Sequence, residues 1–140
     1  MTVQSFNPYL TFPGNCRQAF EFYERVLGAK IDMLMTFGQS PMADTVPPGH
    51  AEKVMHATIT IAGKPLMGSD APPEYPSQPM SGFSLSLNFT SAEEAHKAFA
   101  ALSEAGNVVM PIARTFWAEA FGMVTDQFGV PWMVNCETPR

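Results

Sequence analysis

Two halves of the chain carry the same order of predicted secondary structure, and this repetition constrains the fold more than any other feature. Each half has a short apolar run, then apolar residues at helical spacing, then three runs typical of strands. Ala19-Phe20 in the first predicted helix corresponds to Ala98-Phe99 in the second, and Thr36-Phe37 corresponds to Thr115-Phe116. The sequence therefore predicts two tandem β-α-β-β-β modules.

The first module is predicted to occupy residues 1 to about 70. Asn15, with Gln18 three residues later, is typical of a helix N-cap, and Gly28 is typical of a helix end. The turn at Gly63-Lys64 predicts a tight hairpin. The predicted strands are Tyr9 to Phe12, Lys30 to Phe37, Val54 to Ala62 and Pro65 to Ser69.

The second module is predicted over residues 82–140. Ser91 and Glu94 form a capping box before a helix that ends at Gly106. In the stretch "TDQFGVPW", Asp126 is predicted to bond the turn backbone and Gly129 to take a positive φ. The predicted strands are Phe83 to Phe89, Val108 to Phe116, Gly122 to Thr125 and Pro131 to Cys136.

Two proline-rich segments interrupt this pattern. Residues 38–53 form a long loop between two strands, and residues 71–81 form the predicted linker between the modules. A loop of this length in a compact domain is often functional, for example as a lid over a site. A crossing segment or a dimer contact accounts for it equally well, so the sequence leaves its role open.

Composition restricts the possible partners. The chain has 140 residues, a net charge of −5 and only eight Lys and Arg in total, so it has no basic stripe for binding nucleic acid. The N-terminus does not have the pattern of a signal peptide, and no apolar run is long enough to span a membrane. Cys16 and Cys136 lack a metal or redox spacing and are predicted to be buried free thiols of a cytoplasmic protein.

Several motifs together resemble a known family. The segments "YLTFPGNCRQAFEFY", "HATITIAG", "LMGSDA" and "TFWAEAFGMVTDQFGVPWMVN" resemble the PhnB-like branch of the vicinal-oxygen-chelate superfamily. That superfamily includes glyoxalase, bleomycin-resistance and extradiol dioxygenase proteins, and this branch is also known as 3-demethylubiquinone-9 3-methyltransferase-like. The resemblance implies an α+β fold in which two curved, mixed sheets enclose a cleft, and it implies a homodimer. A fold of this kind hosts many chemistries, so function has to be argued from the site.

Strand alternation predicts which side chains face the cleft, since neighbouring residues of a strand point to opposite faces. In the strand from Val54, the helix face is predicted to hold Met55, Ala57, Ile59 and Ile61, and in the strand from Phe83 it holds Phe83, Leu85, Leu87 and Phe89. The opposite faces are small, polar and neutral, as expected of a cleft lining. In these two strands and in the last one, Pro131 to Cys136, the residues on these faces are His56, Thr58, Thr60, Ser84, Ser86, Asn88, Pro131, Met133 and Asn135.

The resemblance also allows a test for a metal site. Metal-dependent members of the superfamily hold a divalent ion with one His or Glu from each of four strands, and the matching positions here are Pro8, His56, Ser84 and Met133. Only His56 is a good ligand for such an ion, whereas a conventional site needs three or more donors. The thioether of Met133 suits copper(I) better than zinc, nickel, manganese or iron(II). The sequence therefore predicts no metal cofactor.

Three functions are compatible with these residues. The first is a metal-independent protein that binds a small organic molecule in a neutral cleft with an aromatic rim. The second is a glyoxalase-like lyase, isomerase or dioxygenase that acts on a small carbonyl or oxygenated metabolite through His56, with or without a divalent metal. The third is an accessory protein with a vestigial cleft. The residues predicted to contact a ligand are Thr58, Ser84, Ser86, Phe116, Trp117, Phe121, Met133 and Asn135, with His56 as the candidate catalytic residue.

Overall fold

The structure, a computed structural model, describes residues 1–137 and divides after Gln78 into two compact units. Each unit contains one helix and four strands in the order β-α-β-β-β, as predicted. The first unit comprises β1 (Tyr9–Phe12), α1 (Cys16–Leu27), β2 (Lys30–Thr36), β3 (Val54–Ile61) and β4 (Lys64–Asp70). The second comprises β5 (Leu85–Phe89), α2 (Ala92–Ser103), β6 (Asn107–Ala113), β7 (Ala118–Thr125) and β8 (Pro131–Glu137).

The two sheets share one topology. The strand order is β1-β4-β3-β2 in the first unit and β5-β8-β7-β6 in the second. In each sheet the first strand of the module runs parallel to the last, and the other neighbours are antiparallel. Two mixed four-stranded sheets built from a tandem repeat confirm the predicted α+β fold class.

Each helix covers one face of the sheet in its own unit. In the first unit, a Cβ added at Gly68 of β4 would lie 2.9 Å from the Phe20 ring of α1. In the second, a Cβ at Gly122 of β7 would lie 2.7 Å from the Phe99 ring of α2. A real Cβ does not come this close to another atom, so glycine at these two positions lets each helix pack directly against its sheet. Within each unit, the helix leaves the other face of the sheet uncovered.

The helix ends agree with the sequence at the end of α1 and the start of α2, whereas α2 ends at Ser103 rather than at Gly106 and one predicted N-cap is wrong. Gly28 has φ of 67° at the end of α1, and Ser91 accepts a hydrogen bond of 3.3 Å from the Glu94 amide at the start of α2. The predicted cap by the Asn15 side chain is wrong, since that side chain makes no capping bond. The Asp70 carboxylate, from the end of β4, instead accepts the first amide of α1.

Three strand boundaries differ from the prediction by more than one residue. β5 begins at Leu85 rather than Phe83, and Phe83 is 43% exposed instead of packing under the helix. β6 ends at Ala113 rather than Phe116, and β7 begins at Ala118 rather than Gly122. The Thr115 hydroxyl accepts bonds from the amides of Trp117 and Ala118, and this turn ends one strand before the next begins.

The start of β3 also corrects the predicted helix face. Ala57 and Ile59 are buried as expected, but Val54 takes the inward position predicted for Met55. The pairing of β2 with β3 shifts by one residue between Met35 and Thr36, and such a bulge reverses the alternation locally. Ile61 at the far end of the strand is only half-buried.

Local turns and main-chain bonds organise the long loop of residues 38–53. Its first two residues belong to one 3₁₀ turn, Phe37–Gln39, and it contains a second, Ala43–Thr45. The Phe37 amide donates to the Lys53 carbonyl at 3.0 Å, and the Gly38 amide donates to the Ala51 carbonyl at 2.8 Å. The two ends of the loop are therefore joined like the ends of a hairpin. In the part of the chain that the structure describes, neither helix is long and apolar enough to cross a membrane.

Candidate functional site

The uncovered face of the first sheet carries the candidate catalytic histidine. His56 and Thr58 are half-buried and alternate with the buried Ala57 and Ile59, so they project away from α1 as predicted. Thr58 lies opposite Met33 on one side and Met67 on the other, and His56 lies opposite Met35. Thr60, the third polar residue on this face, donates a hydrogen bond to the Asp32 carboxylate. Polar groups and thioethers therefore alternate across this face.

Tyr9 is a neighbour of His56 that the sequence did not reveal. Its hydroxyl lies 3.3 Å from His56 Nδ1, and the two rings stack with centroids 5.7 Å apart and an angle of 29°. Tyr9 belongs to β1, where Leu10 and Phe12 point inward and Tyr9 remains 49% exposed. A tyrosine at an outward position of this alternating strand is the signal that would have identified it. The pair combines a phenol and an imidazole, two groups that can each donate or accept a proton.

The uncovered face of the second sheet brings together four of the predicted ligand contacts. Asn135 of β8 lies opposite Phe121 of β7 and opposite Asn88 of β5. Met133 lies opposite Met123 and Ser86 in the next row. Asn135 Nδ2 donates to Asn88 Oδ1 at 3.1 Å, which leaves the Asn135 carbonyl and the Asn88 amide group able to meet a ligand.

An aromatic cluster lies at the start of β7. The Trp117 ring meets Phe121 edge to face at a centroid distance of 5.5 Å, and meets Phe116 at 4.7 Å. Trp117 is 48% exposed and Phe116 is 95% exposed. The turn at Thr115 fixes the Trp117 backbone, because the Trp117 amide donates to the Thr115 hydroxyl. The Trp117 side chain is therefore anchored at its base and remains partly exposed to solvent.

Ser84 does not join either set. It lies before the first residue of β5, so strand alternation does not define its direction, and its neighbour Phe83 is exposed. Ser86, two residues later, is exposed on the strand and has the paired position opposite Met133. Ser84 therefore remains a predicted contact that no strand pairing supports.

The donors do not fit the divalent metal of metal-dependent relatives. Among residues 1–137, no three His, Cys, Asp or Glu side chains come close enough to hold a metal ion. His56 Nδ1 faces the Tyr9 hydroxyl, and Pro8 contributes its backbone carbonyl to the Met67 amide at 3.1 Å. We therefore derive no chemical step through a metal from these residues.

The Cys16 thiol is buried under the first sheet and is not arranged as a nucleophile. Burial and, to a smaller extent, the nearby Asp70 charge together raise the pKa of Cys16 to about 12, while the Arg17 charge opposes the shift. Burial likewise raises the pKa of Cys136, and the neighbouring Glu119 charge adds to the effect. Since the thiolate is the reactive form, neither cysteine is suited to nucleophilic catalysis.

This shift predicts slow modification of Cys16. In a Cys136→Ser variant at pH 8, Ellman's reagent is expected to react with the native protein on the order of 1000-fold more slowly than with the urea-unfolded chain, because a pKa rise from 9.0 to about 12 lowers the thiolate fraction by that factor. The folded pKa exceeds the unfolded one, so this thiol's contribution to stability is complete below pH 9 and is lost as pH rises toward 12. Equal rates for the native and unfolded chains would contradict the prediction.

Comparison with known proteins places the chain in a family. Residues 4–135 match the 3-demethylubiquinone-9 3-methyltransferase family. Protein YjdN of Escherichia coli is 41% identical over 137 residues, which is 92% of each chain. The crystal structure of PA1353 from Pseudomonas aeruginosa is 46% identical and superimposes with a TM-score of 0.88, covering 98% of this chain and 100% of that one. A PhnB protein from Bacillus cereus is 25% identical with a TM-score of 0.78, covering 95% and 99%.

The family name refers to a methyltransferase, whereas the fold is of another kind. Each sheet is mixed and mostly antiparallel, and the turn after β1 contains a single glycine, Gly14. A doubly wound nucleotide-binding fold has a parallel sheet and a glycine-rich first turn. With this tandem fold, and with the match over nearly its whole length, the chain belongs to the 3-demethylubiquinone-9 3-methyltransferase-like, PhnB-like branch of the vicinal-oxygen-chelate superfamily.

Proposed function

We propose that this chain is a metal-independent small-molecule binding protein that acts as a homodimer, with a flat organic ligand lying on the uncovered face of β7, β8 and β5. One observation carries the proposal. Phe121 pairs with Asn135 on that face, Met133 lies two residues from Asn135 along β8, and the Trp117 ring packs against Phe121. Rings and thioethers supply apolar contact, and the amides fix the orientation of a ligand.

The chemistry of this face suits a neutral ligand better than a charged one. The four pairs that define it contain amides, thioethers, a hydroxyl and an aromatic ring: Phe121 with Asn135, Asn88 with Asn135, Met123 with Met133, and Ser86 with Met133. Methionine side chains adapt to ligands of different shape, and amides can donate and accept. Such a surface recognises a planar molecule that carries carbonyl or amino groups on an apolar ring.

Truncating the aromatic residues is expected to weaken binding of a neutral aromatic dye. N-phenyl-1-naphthylamine should fluoresce on binding the wild-type protein, and Trp117→Ala or Phe121→Ala should raise its dissociation constant about tenfold through lost ring contact. Met133→Ala should have a smaller effect in the same direction. Fluorescence titration of the purified protein provides the measurement.

Tyr75→Ala is the matched control for these variants, since Tyr75 is a 76% exposed aromatic residue outside the sheets. It should leave the dye affinity unchanged. If the variants at positions 117, 121 and 133 all bound the dye as the wild type does, the proposed face would be wrong. Stoichiometric nickel, zinc, manganese or iron in the purified protein would contradict the proposal that ligand binding is independent of metal.

The Tyr9–His56 pair favours a second candidate function. A glyoxalase-like lyase, isomerase or dioxygenase acting on a small carbonyl or oxygenated metabolite would use His56 to move a proton, with the Tyr9 hydroxyl holding the imidazole. A screen of small carbonyl compounds should then show turnover that His56→Ala abolishes and Tyr9→Phe reduces. Turnover that survives both substitutions would remove this pair from the reaction.

A further inference from the structure

A cavity of about 510 Å³ lies in the first unit. Its walls come from the start of α1 and from residues 49–54, which end the long loop and begin β3. None of the residues assigned to the proposed binding face or to the Tyr9–His56 pair lines it. The cavity is therefore a separate feature that neither candidate function uses.

Two cationic side chains line this cavity. Arg17 is exposed in the first turn of α1, and Lys53 is half-buried at the end of the loop. Lys53 Nζ donates one hydrogen bond, at 3.1 Å, to the Gly14 carbonyl. Neither cation forms an ion pair within residues 1–137, where the salt bridge found joins Lys97 to Glu93. An ammonium group has three donors and a guanidinium has five, so both retain donors for a ligand.

The start of α1 adds further donors to the same wall. Arg17 and Gln18 both line the cavity and belong to the first helical turn, whose amides lack acceptors inside the helix. This turn has no acidic residue and no side-chain cap from Asn15. Arg17 and Gln18 thus line the cavity from the end of the helix that favours negative charge.

Two carboxylates also line the cavity, and they differ in what they can oppose. Asp70 is 2% exposed, and its two oxygens accept the amides of Cys16 and Val54 at 2.9 and 2.8 Å, so backbone donors compensate its charge. Glu52 is exposed and has no such partner among the residues described. Glu52 is therefore the group expected to repel an anion in this cavity.

The end of the long loop forms a fixed wall. The Lys53 amide donates to the His50 carbonyl at 3.0 Å, and the Ala51 carbonyl accepts from Gly38 at 2.8 Å. The His50 ring packs against Phe37 with centroids 4.6 Å apart. Its Nε2 atom is buried without a hydrogen-bond partner in the described part of the chain, and the residues on either side of it line the cavity.

From this arrangement we propose that the cavity between Arg17 and Lys53 binds the carboxylate or phosphate group of a small anionic molecule. The guanidinium, the ammonium and the first-turn amides of α1 supply the donors, and the loop of residues 38–53 holds Lys53 in place. The role of the long loop, which the sequence left open, would then be to form part of a second binding site.

Titration with the two simplest anions tests the proposal on the full chain. Amide spectra of ¹⁵N-labelled protein are recorded with inorganic phosphate and, separately, with acetate, at constant ionic strength maintained with chloride. Saturable shifts are expected at Gly14 and Gly49, which line the cavity. Stronger binding of phosphate or of acetate identifies which oxyanion the site prefers.

Substitutions give opposite expected signs. Lys53→Met and Arg17→Met should each weaken binding about tenfold, since each removes a charge-assisted hydrogen bond. Glu52→Gln should strengthen binding about threefold by removing the opposing charge. Lys64→Met is the matched control, because Lys64 is an exposed lysine of the same unit outside the cavity. It should change the affinity by less than about twofold.

Several results would overturn the proposal. They are the absence of saturable shifts with both anions, an equal loss of affinity in Lys64→Met and Lys53→Met, or unchanged affinity in Glu52→Gln. If the Lys53→Met protein does not fold, as judged from a poorly dispersed amide spectrum, Lys53→Arg replaces it. Anion binding that is retained in Lys53→Arg and lost in Arg17→Met would then support the site. Binding of N-phenyl-1-naphthylamine should be unchanged in the cavity variants, so this proposal and the proposed function can fail independently.

Discussion

Replacing Asp126 by alanine is expected to lower the free energy of unfolding by about 4 kcal/mol, because it leaves several buried donors without an acceptor. Asp126 is 3% exposed and accepts the amides of Phe128 and Val130 at 2.8 and 3.0 Å. It also accepts the indole N–H of Trp132 at 2.9 Å. One carboxylate thus holds both the turn before β8 and a tryptophan of the second core.

Urea unfolding, followed by circular dichroism, measures this loss. Asp126→Asn should have a smaller effect, since one side-chain oxygen can still accept the two backbone amides while its NH₂ group faces the indole donor. Asp44→Ala, at an exposed aspartate, is the control and should change stability by less than about 0.5 kcal/mol. An Asp126→Ala midpoint equal to that of Asp44→Ala would show that these bonds add nothing net to the folded state.

The Asp126 turn illustrates what the sequence predicts well. Its function within the turn and the positive φ of Gly129, observed at 87°, follow from residues four or fewer positions apart. The element order was predictable for the same reason, since apolar periodicity is local to each helix and strand. The uncovered faces of β3 and β8 followed from alternation alone, which placed His56, Thr58, Met133 and Asn135 correctly.

Contacts between distant strands could not be predicted in this way. Tyr9 meets His56 because β1 pairs with β4 and β4 with β3, and no local pattern specifies that order or its register. The methionines opposite Thr58 and Met133 became neighbours of the site for the same reason. Alternation also failed at Val54, where a bulge in the pairing with β2 reverses the faces.

Asp70 shows how a long-range bond changes the interpretation of a residue. From the sequence it follows the last predicted strand of the first module and begins a proline-rich segment, as an exposed loop aspartate would. In the structure it is the last residue of β4 and is 2% exposed. Its carboxylate accepts the first amide of α1, while the Asn15 backbone, at φ −119° and ψ 28°, lies outside the extended region from which an N-cap side chain bonds its helix.

Asp70→Ala is accordingly expected to destabilise the first unit by about 4 kcal/mol, since two buried amides lose a charged acceptor. Asp70 Oδ1 accepts the Cys16 amide and Oδ2 accepts the Val54 amide, so one side chain joins the starts of α1 and β3 to the end of β4. Urea unfolding measures the effect. Asp32→Ala is the matched control, because Asp32 is an exposed aspartate of the same unit that accepts a single hydroxyl bond.

The reactivity of the Cys16 thiol provides a measure of the charge of Asp70. Burial is the main cause that raises the pKa of this thiol and the Asp70 charge is the next, so Asp70→Asn should lower the pKa while leaving it well above 9.0. Ellman's reagent should then react with Cys16 faster than in the parent Cys136→Ser protein at the same pH, yet more slowly than with the unfolded chain. A rate unchanged by Asp70→Asn in a folded protein would mean that the Asp70 charge does not affect the pKa of Cys16. Asp70 would then act at the start of α1 through its hydrogen bonds, and Asp70→Asn would still destabilise the protein, because the Cys16 and Val54 amides bond different oxygens and one of these amides would face the Asn NH₂ group.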